Sequence, residues 1–254
     1  MSELPTIYLP FARRRYPGPS PEVIGPDSQL VIDGYTRSAT TFAVYALQLA
    51  QKRPVRLAHH LHAPAQLIDA ARRRVPTLAL IRQPRDAVLS HLVREPWIDM
   101  RDAAVGYARF YRCLMPYRSA FVVGEFEEVT HDFASVVRRL NAHFGLRLEE
   151  FEPTEANMNL CFELMRERPQ LSKVLLGFES GTVTLDELQA ERRRADSAAS
   201  APGSGDDTNS WVPSAARSEL KESLRDQWQN PRMEALRLRA EAAYRDFVSE
   251  PTRA

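Results

Sequence analysis

Arg37, Ser38, Thr40 and Thr41 stand together in residues 29–42, QLVIDGYTRSATTF, and their side chains suit one task, holding a phosphate. Arg37 supplies a permanent positive charge and the three hydroxyls can bind phosphate oxygens. The stretch reads as an apolar run, Leu30-Val31-Ile32, then Gly34 and a hydroxyl-rich turn, then the helical-looking FAVYALQLAQ. A strand turning tightly into a helix presents free amide N–H groups and the positive end of a helix dipole, which together make an anion cradle. The pattern is not G-x-x-x-x-G-K-[ST], because Ala39 takes the place of the second glycine and the cation precedes the hydroxyls. An ordinary strand–loop–helix with a Thr-rich cap has the same look.

Residues 77–94, TLALIRQPRDAVLSHLVR, repeat the design. An apolar strand ends at Arg82, and Pro84 opens a helix, where its missing N–H costs nothing. Asp86 falls in the first turn, where a carboxylate suits the dipole. Ser90, eight residues after Arg82, can turn back toward the strand end and form with it a clamp for a second phosphate.

Between the two segments lie His59, His60 and His62, three of only six histidines, just after a predicted strand. Strand alternation puts His60 and Ala58 on one face and His59 on the other. A proton-accepting role, a capping or core role and a metal site are all open for the cluster. Against metal, no Cys or carboxylate is near in sequence, and one short loop closes a tetrahedron poorly.

In order and spacing these segments resemble the PAPS-dependent sulfotransferases. There a G-x-P-[RK]-S-G-T-T loop binds the 5′-phosphosulfate and an R-x-P-x-D-x-x-x-S segment binds the 3′-phosphate. The resemblance covers residues 28–146, with FVVGEFEEVTHDFASVVRRLNAHFG (121–145) similar to the family's strand, acidic turn and helix, and extends weakly into the C-terminal third. It implies that Gly34, Tyr35, Thr36, Arg37, Ser38, Ala39, Thr40 and Thr41 surround the phosphosulfate, while Arg82 and Ser90 hold the 3′-phosphate. It further implies His60 as the general base, with His62 in support, and Arg37 at the leaving phosphate. PAPS would be the co-substrate and PAP the product, with no metal required and a small-molecule or carbohydrate acceptor. Thr36 replaces the family's Pro, Ala39 its Gly, and Ala58 stands where the cytosolic enzymes carry Lys. If position 39 needs a positive φ, Ala costs on the order of 1 kcal/mol there. A mobile C-terminal segment of the family adds a basic phosphate contact, for which Arg192, Arg193, Arg194 and Arg217 are the candidates.

The elements that must position these residues alternate. Strands are expected near 29–34, 55–59, 77–82 and 121–125, and helices near 38–52, 63–74, 84–94, 98–118, 131–144 and 153–168. This predicts an α/β fold: a three-layer parallel sheet with helices on both faces, P-loop-NTPase-like as in sulfotransferases, with ligands at the carboxyl ends of the strands. We expect one domain over 1–254, with a core at 28–180, a flexible loop near 189–212 and a helical C-terminal extension at 214–249. Tyr107, Phe110, Tyr111 and Leu114 share one helix face and read as core. Trp211 could anchor a closed form of the loop.

A net charge of +1 argues against a nucleic-acid partner. Two cysteines, Cys113 and Cys161, give no disulfide framework. No apolar run is long enough to span a membrane and the N-terminus does not read as a signal peptide, so a cytoplasmic location is expected. Arg13–Arg15 read as a solvated face or as the rim of an anionic site. Two other functions fit the same residues: a non-catalytic nucleotide-binding or scaffold protein of this fold, and a P-loop phosphotransferase in which Asp33 would serve magnesium.

Overall fold

The computed structural model describes residues 1–16, 22–168, 172–198 and 215–249. Four strands, β1 (Leu30–Gly34), β2 (Leu57–His59), β3 (Thr77–Ile81) and β4 (Val122–Glu125), form one parallel sheet in the order β2-β1-β3-β4. β1 is joined to β2 on one side and hydrogen-bonded to β3 on the other, so the chain reverses its direction of winding at the β1/β3 boundary. The crevice outside the carboxyl ends of such a pair is where ligands bind in open parallel sheets.

Side-chain alternation splits the sheet cleanly. Val31, Ala58, Ala79, Ile81 and Val123 enter one apolar core, and Leu30, Ile32, Leu57, Leu78, Leu80 and Val122 enter the other. Helices α1 (Pro5–Arg15), α3 (Pro64–Arg73), α4 (Pro84–Arg94), α5 (Met100–Leu114) and α13 (Glu234–Val248) contribute to the first core. The second takes α2 (Thr40–Ala50), α7 (Phe133–Phe144), α8 (Glu155–Glu167) and α9 (Lys173–Ser180). A sheet buried on both faces explains why the strands read as continuous apolar runs. The short α6 (Phe126–His131) follows β4 directly.

The three-layer α/β architecture with a helical C-terminal region is as expected, and Tyr107, Phe110, Tyr111 and Leu114 are all buried. Helix 98–118 is shorter than its pattern suggests. It ends at Leu114 and tightens into a 3-10 turn over 115–120, where Pro116 has no N–H to continue the ladder. Residues 189–198, expected to open a flexible loop, continue α10 (Leu185–Ala198) instead. The reason is local: QAERRRA is rich in strong helix formers, and Asp186 and Glu187 sit in the first turn. The rest of the expected loop and Trp211 lie outside the described residues. Among the described residues the C-terminal extension opens with α11 (Ala215–Ser223) and α12 (Arg225–Gln229), followed by α13. α1 and α9 were not anticipated.

Candidate functional site

Three strand ends converge. β1 ends at Gly34, and a Cβ there would lie 2.2 Å from the Leu80 carbonyl oxygen, so the neighbouring strand leaves no room for any side chain. Beyond it, Arg37 and Ala39 both adopt left-handed backbone, φ 70° and 71°. Those two reversals wrap the chain tightly enough for α2 to start at Thr40, with its first amide N–H groups unclaimed by intrahelical acceptors. The position that resembles a glycine site does require a positive φ, and Ala39 occupies it.

Asp33 ties this turn to the histidine loop. Fully buried, its carboxylate accepts from the Gly34 N–H (2.9 Å), the His62 N–H (3.1 Å) and Gln66 Nε2 (3.0 Å). Both of its oxygens are thus engaged by two backbone amides and the Gln66 side chain. His62 adds a contact from Nδ1 to the Gly34 carbonyl oxygen (2.9 Å), so it too braces the turn while lining the cavity. Both His60 and His62 take positive φ, 61° and 50°.

His60 lies one residue beyond β2, with Nε2 2.9 Å from Thr41 Oγ1 in the first turn of α2. Its Nδ1 lies 2.6 Å from His59 Nδ1, a contact that needs one proton between the two nitrogens. Burial, then Arg168, His59 and His62, hold His60 well below the usual histidine value. His59, fully buried, is pushed down to about 3 by burial first and Arg168 second. Both rings are therefore neutral at pH 7. Behind them, fully buried Glu179 accepts from Arg168 Nε (2.9 Å) and from the Tyr45 hydroxyl. The fold thus supplies the carboxylate that the neighbouring sequence lacked, with one donor atom each from His59, His60 and Glu179 inside 4.8 Å. Arg168 and Tyr45 already occupy that carboxylate, and the guanidinium beside it repels a cation, so the donor set is a poor metal cage.

Opposite His60 is a group of cations. Arg37 Nε donates to Ser90 Oγ at 3.1 Å, and Arg82 Nη1 donates to the Arg37 carbonyl oxygen at 3.3 Å. The Arg82 guanidinium lies 3.6 Å above the Phe126 ring, a flat stacking surface that fixes its plane. Arg82 Nε and Thr40 Oγ1 are buried with no hydrogen-bond partner among the described residues. α11 closes the group with Arg217 and Lys221. Burial, then Arg82, Arg217 and Arg37, push the Lys221 ammonium down to about 8. Burial likewise lowers Arg37 and Arg217, with neighbouring arginines adding to the effect. Such mutual repulsion among half-buried cations is relieved by an anion with more than one charge.

A cavity of about 490 Å³ joins these features. Arg37, Ala39, Thr40, Thr41, His60, His62, Arg82 and Ser90 all line it. Gly34, Tyr35, Thr36 and Ser38 do not. Ser38 is fully buried, and Tyr35 turns inward to pack edge-on against Tyr107 and Phe110, its hydroxyl donating to the Ala103 carbonyl oxygen at 3.0 Å. Of the four C-terminal arginines considered, Arg217 reaches the cavity, while Arg192 pairs with Glu163 and Glu167. Lys221 was missed. A signal existed in its i, i+4 spacing from Arg217, but nothing local distinguished that pair from a solvated helix face. Phe42, Met158, Phe162 and Met165 form an apolar wall, the last three at i, i+4, i+7 on α8.

No protein-family model matches the chain. No curated protein matches it either. Among solved structures, a mouse sulfotransferase complexed with PAP aligns over 80% of this chain and 91% of its own, at 13% identity and a TM-score of 0.40. A likeness of that degree speaks to neither ligand nor reaction.

Proposed function

We propose that this chain is a sulfotransferase that moves a sulfuryl group from PAPS to a hydroxyl group. The observation that carries the reading is one cavity in which Arg37, Arg82, Arg217, Lys221, Ser90 and the start of α2 face a neutral His60. One connected group of cations, Arg37, Arg82, Arg217 and Lys221, suits a nucleotide bearing charge at both its 5′ and 3′ positions. Arg37 and the α2 amides take the phosphosulfate end, and Arg82, Ser90, Arg217 and Lys221 take the 3′-phosphate. The unpartnered Thr40 Oγ1 and Arg82 Nε are the polar atoms such a ligand would satisfy.

In the reaction the acceptor oxygen attacks sulfur in line as its proton passes to His60 Nε2. The S–O bond to the 5′-phosphate breaks, and PAP leaves with its new charge held by Arg37 and the helix dipole. For Nε2 to accept, the His60 proton must sit on Nδ1, donated to His59 Nδ1 across their 2.6 Å contact. Thr41 Oγ1 donates to Nε2 until the acceptor hydroxyl displaces it. With Ala58 fully buried in the sheet, leaving-group help is electrostatic, since an arginine gives up no proton. The wall of Phe42, Met158, Phe162 and Met165 favours an acceptor with an apolar body over a free sugar.

Calorimetry without magnesium tests the reading, comparing PAP with ATP on wild type and Arg82→Ala. We expect micromolar PAP binding, much weaker ATP binding, and a loss of about tenfold to a hundredfold in the variant, the range for a charge-assisted hydrogen bond. Equal or absent binding of the two nucleotides would overturn it. PAP binding with turnover indifferent to His60→Ala would leave a non-catalytic nucleotide binder.

A further inference from the structure

On the opposite side of its core contacts, α1 carries an apolar stripe left exposed among the described residues. Pro5, Leu9 and Ala12 face inward, whereas Leu4, Ile7 and Phe11 are 47%, 52% and 64% exposed, and Met1 ahead of them is 78% exposed. The spacings of three and four residues put Leu4, Ile7 and Phe11 on one face. Arg14 and Arg15 follow Phe11 by three and four residues, so the same stripe ends in two exposed cations. Arg13 points elsewhere, donating to the Ile24 carbonyl oxygen.

The charge of this face has one sign. α1 contains no acidic residue, and Glu3, just before it, is held by Arg109 through two hydrogen bonds of 2.7 and 2.5 Å. Glu3 also walls a separate cleft of about 400 Å³, with Val105 and Leu236 among its apolar lining and Arg109, Arg112 and Arg239 beside them. Val105 is itself 48% exposed. Exposed apolar side chains bordered by arginines, with the Glu3 carboxylate neutralised, match a surface that is apolar below and anionic above. A second copy of this chain matches less well: paired parallel along α1 it would face arginines with arginines, and paired antiparallel it would set Arg14 and Arg15 against the apolar Met1 and Leu4.

We propose that this face docks on an anionic lipid bilayer, with α1 lying in the plane of the interface. Leu4, Ile7 and Phe11 enter the acyl boundary, and Arg14, Arg15 and Arg109 meet the headgroup phosphates. No described helix is long and apolar enough to cross a membrane, so the attachment is peripheral and reversible by salt. It stands independently of the sulfuryl-transfer reading.

The test is co-sedimentation of the full chain with phosphatidylglycerol and with phosphatidylcholine vesicles, for wild type, Ile7→Ser/Phe11→Ser and Arg14→Gln/Arg15→Gln. Thermal melts serve as the check on folding. We expect at least about tenfold stronger partitioning onto the anionic vesicles at low salt, lost in the apolar double variant and weakened severalfold in the arginine variant. A Phe11→Trp variant should show a blue-shifted emission on adding the anionic vesicles. Equal partitioning onto both lipids, or unchanged binding in folded Ile7→Ser/Phe11→Ser, overturns the proposal. So does sedimentation showing a wild-type dimer that this variant dissolves while vesicles bind neither, which would make the face a self-association surface.

Discussion

Replacing His59 with asparagine should flatten the acid limb of this protein's stability curve. His59 is fully buried on β2 and its imidazole is pushed down to about 3, from an ordinary value of 6.5, chiefly by burial and then by Arg168. On unfolding it regains the ordinary value. Between those limits the unfolded chain holds a proton that the folded one refuses, so stability is full above about pH 6.5 and falls with the pH below it. At about pH 5, roughly 1.5 pH units below the ordinary value, the loss from His59 alone is about 2 kcal/mol. Domain stabilities of about 5–15 kcal/mol make that loss easy to see. His60, held well below its usual value, adds in the same direction. Glu179 opposes both, because burial raises its carboxyl and the folded state then takes up its proton more readily than the unfolded one. His60 and Glu179 remain in His59→Asn, so the difference between the two proteins isolates His59. Asparagine can still meet His60 Nδ1 but does not titrate. Urea unfolding at pH 7.5 and 5.0 should show wild type losing about 2 kcal/mol more than the variant, or about 4–8 °C in melting temperature. Equal losses in the two proteins would refute the reasoning.

Position 39 should order Gly, Ala and Val by backbone strain: its φ of 71° favours glycine by on the order of 1 kcal/mol, partly offset by the freer unfolded chain. Melting temperatures should therefore place Ala39→Gly level with or slightly above wild type and Ala39→Val clearly below, and a Val variant as stable as wild type would contradict the left-handed turn. Lys221, pushed down to about 8, should make PAP affinity fall as the pH rises through that value, when the ammonium facing the anion loses its charge. Calorimetry on Lys221→Met should show weaker binding and no such limb, and a limb that survives the substitution would assign it to another group.

Much of this molecule was legible because its signals are local. Leu30–Ile32, Thr77–Ile81 and Val122-Val123 are short apolar runs that can pair only as strands buried on both faces, and Pro64 and Pro84 mark the helix starts where they stand. The types at Arg37, Thr40, Thr41, Arg82 and Ser90 pointed to one shared cavity wall, which all five line, since strand–turn–helix geometry is set within a dozen residues. Backbone strain at Ala39 was foreseeable as a condition, and its φ decided it. The pattern could not say which motif residues face the ligand. Tyr35, in the middle of the loop, turns into the core because the chain beneath it offers Tyr107, Phe110 and the Ala103 carbonyl.

Tertiary structure alone decided the partners that lie far away in the chain. Glu179 meets Tyr45 across 134 residues, and Arg217 and Lys221 return from beyond residue 214 to a cavity whose lining begins at Arg37. Asp33 shows the same division. Sequence placed it beside the turn that follows β1, where it could have served a metal, and folding brought His62 and Gln66 to use up its oxygens. A residue's type and its neighbours fix what it can do. Burial and long-range charge decide whether it does so, because they depend on which surfaces the packed helices bring together.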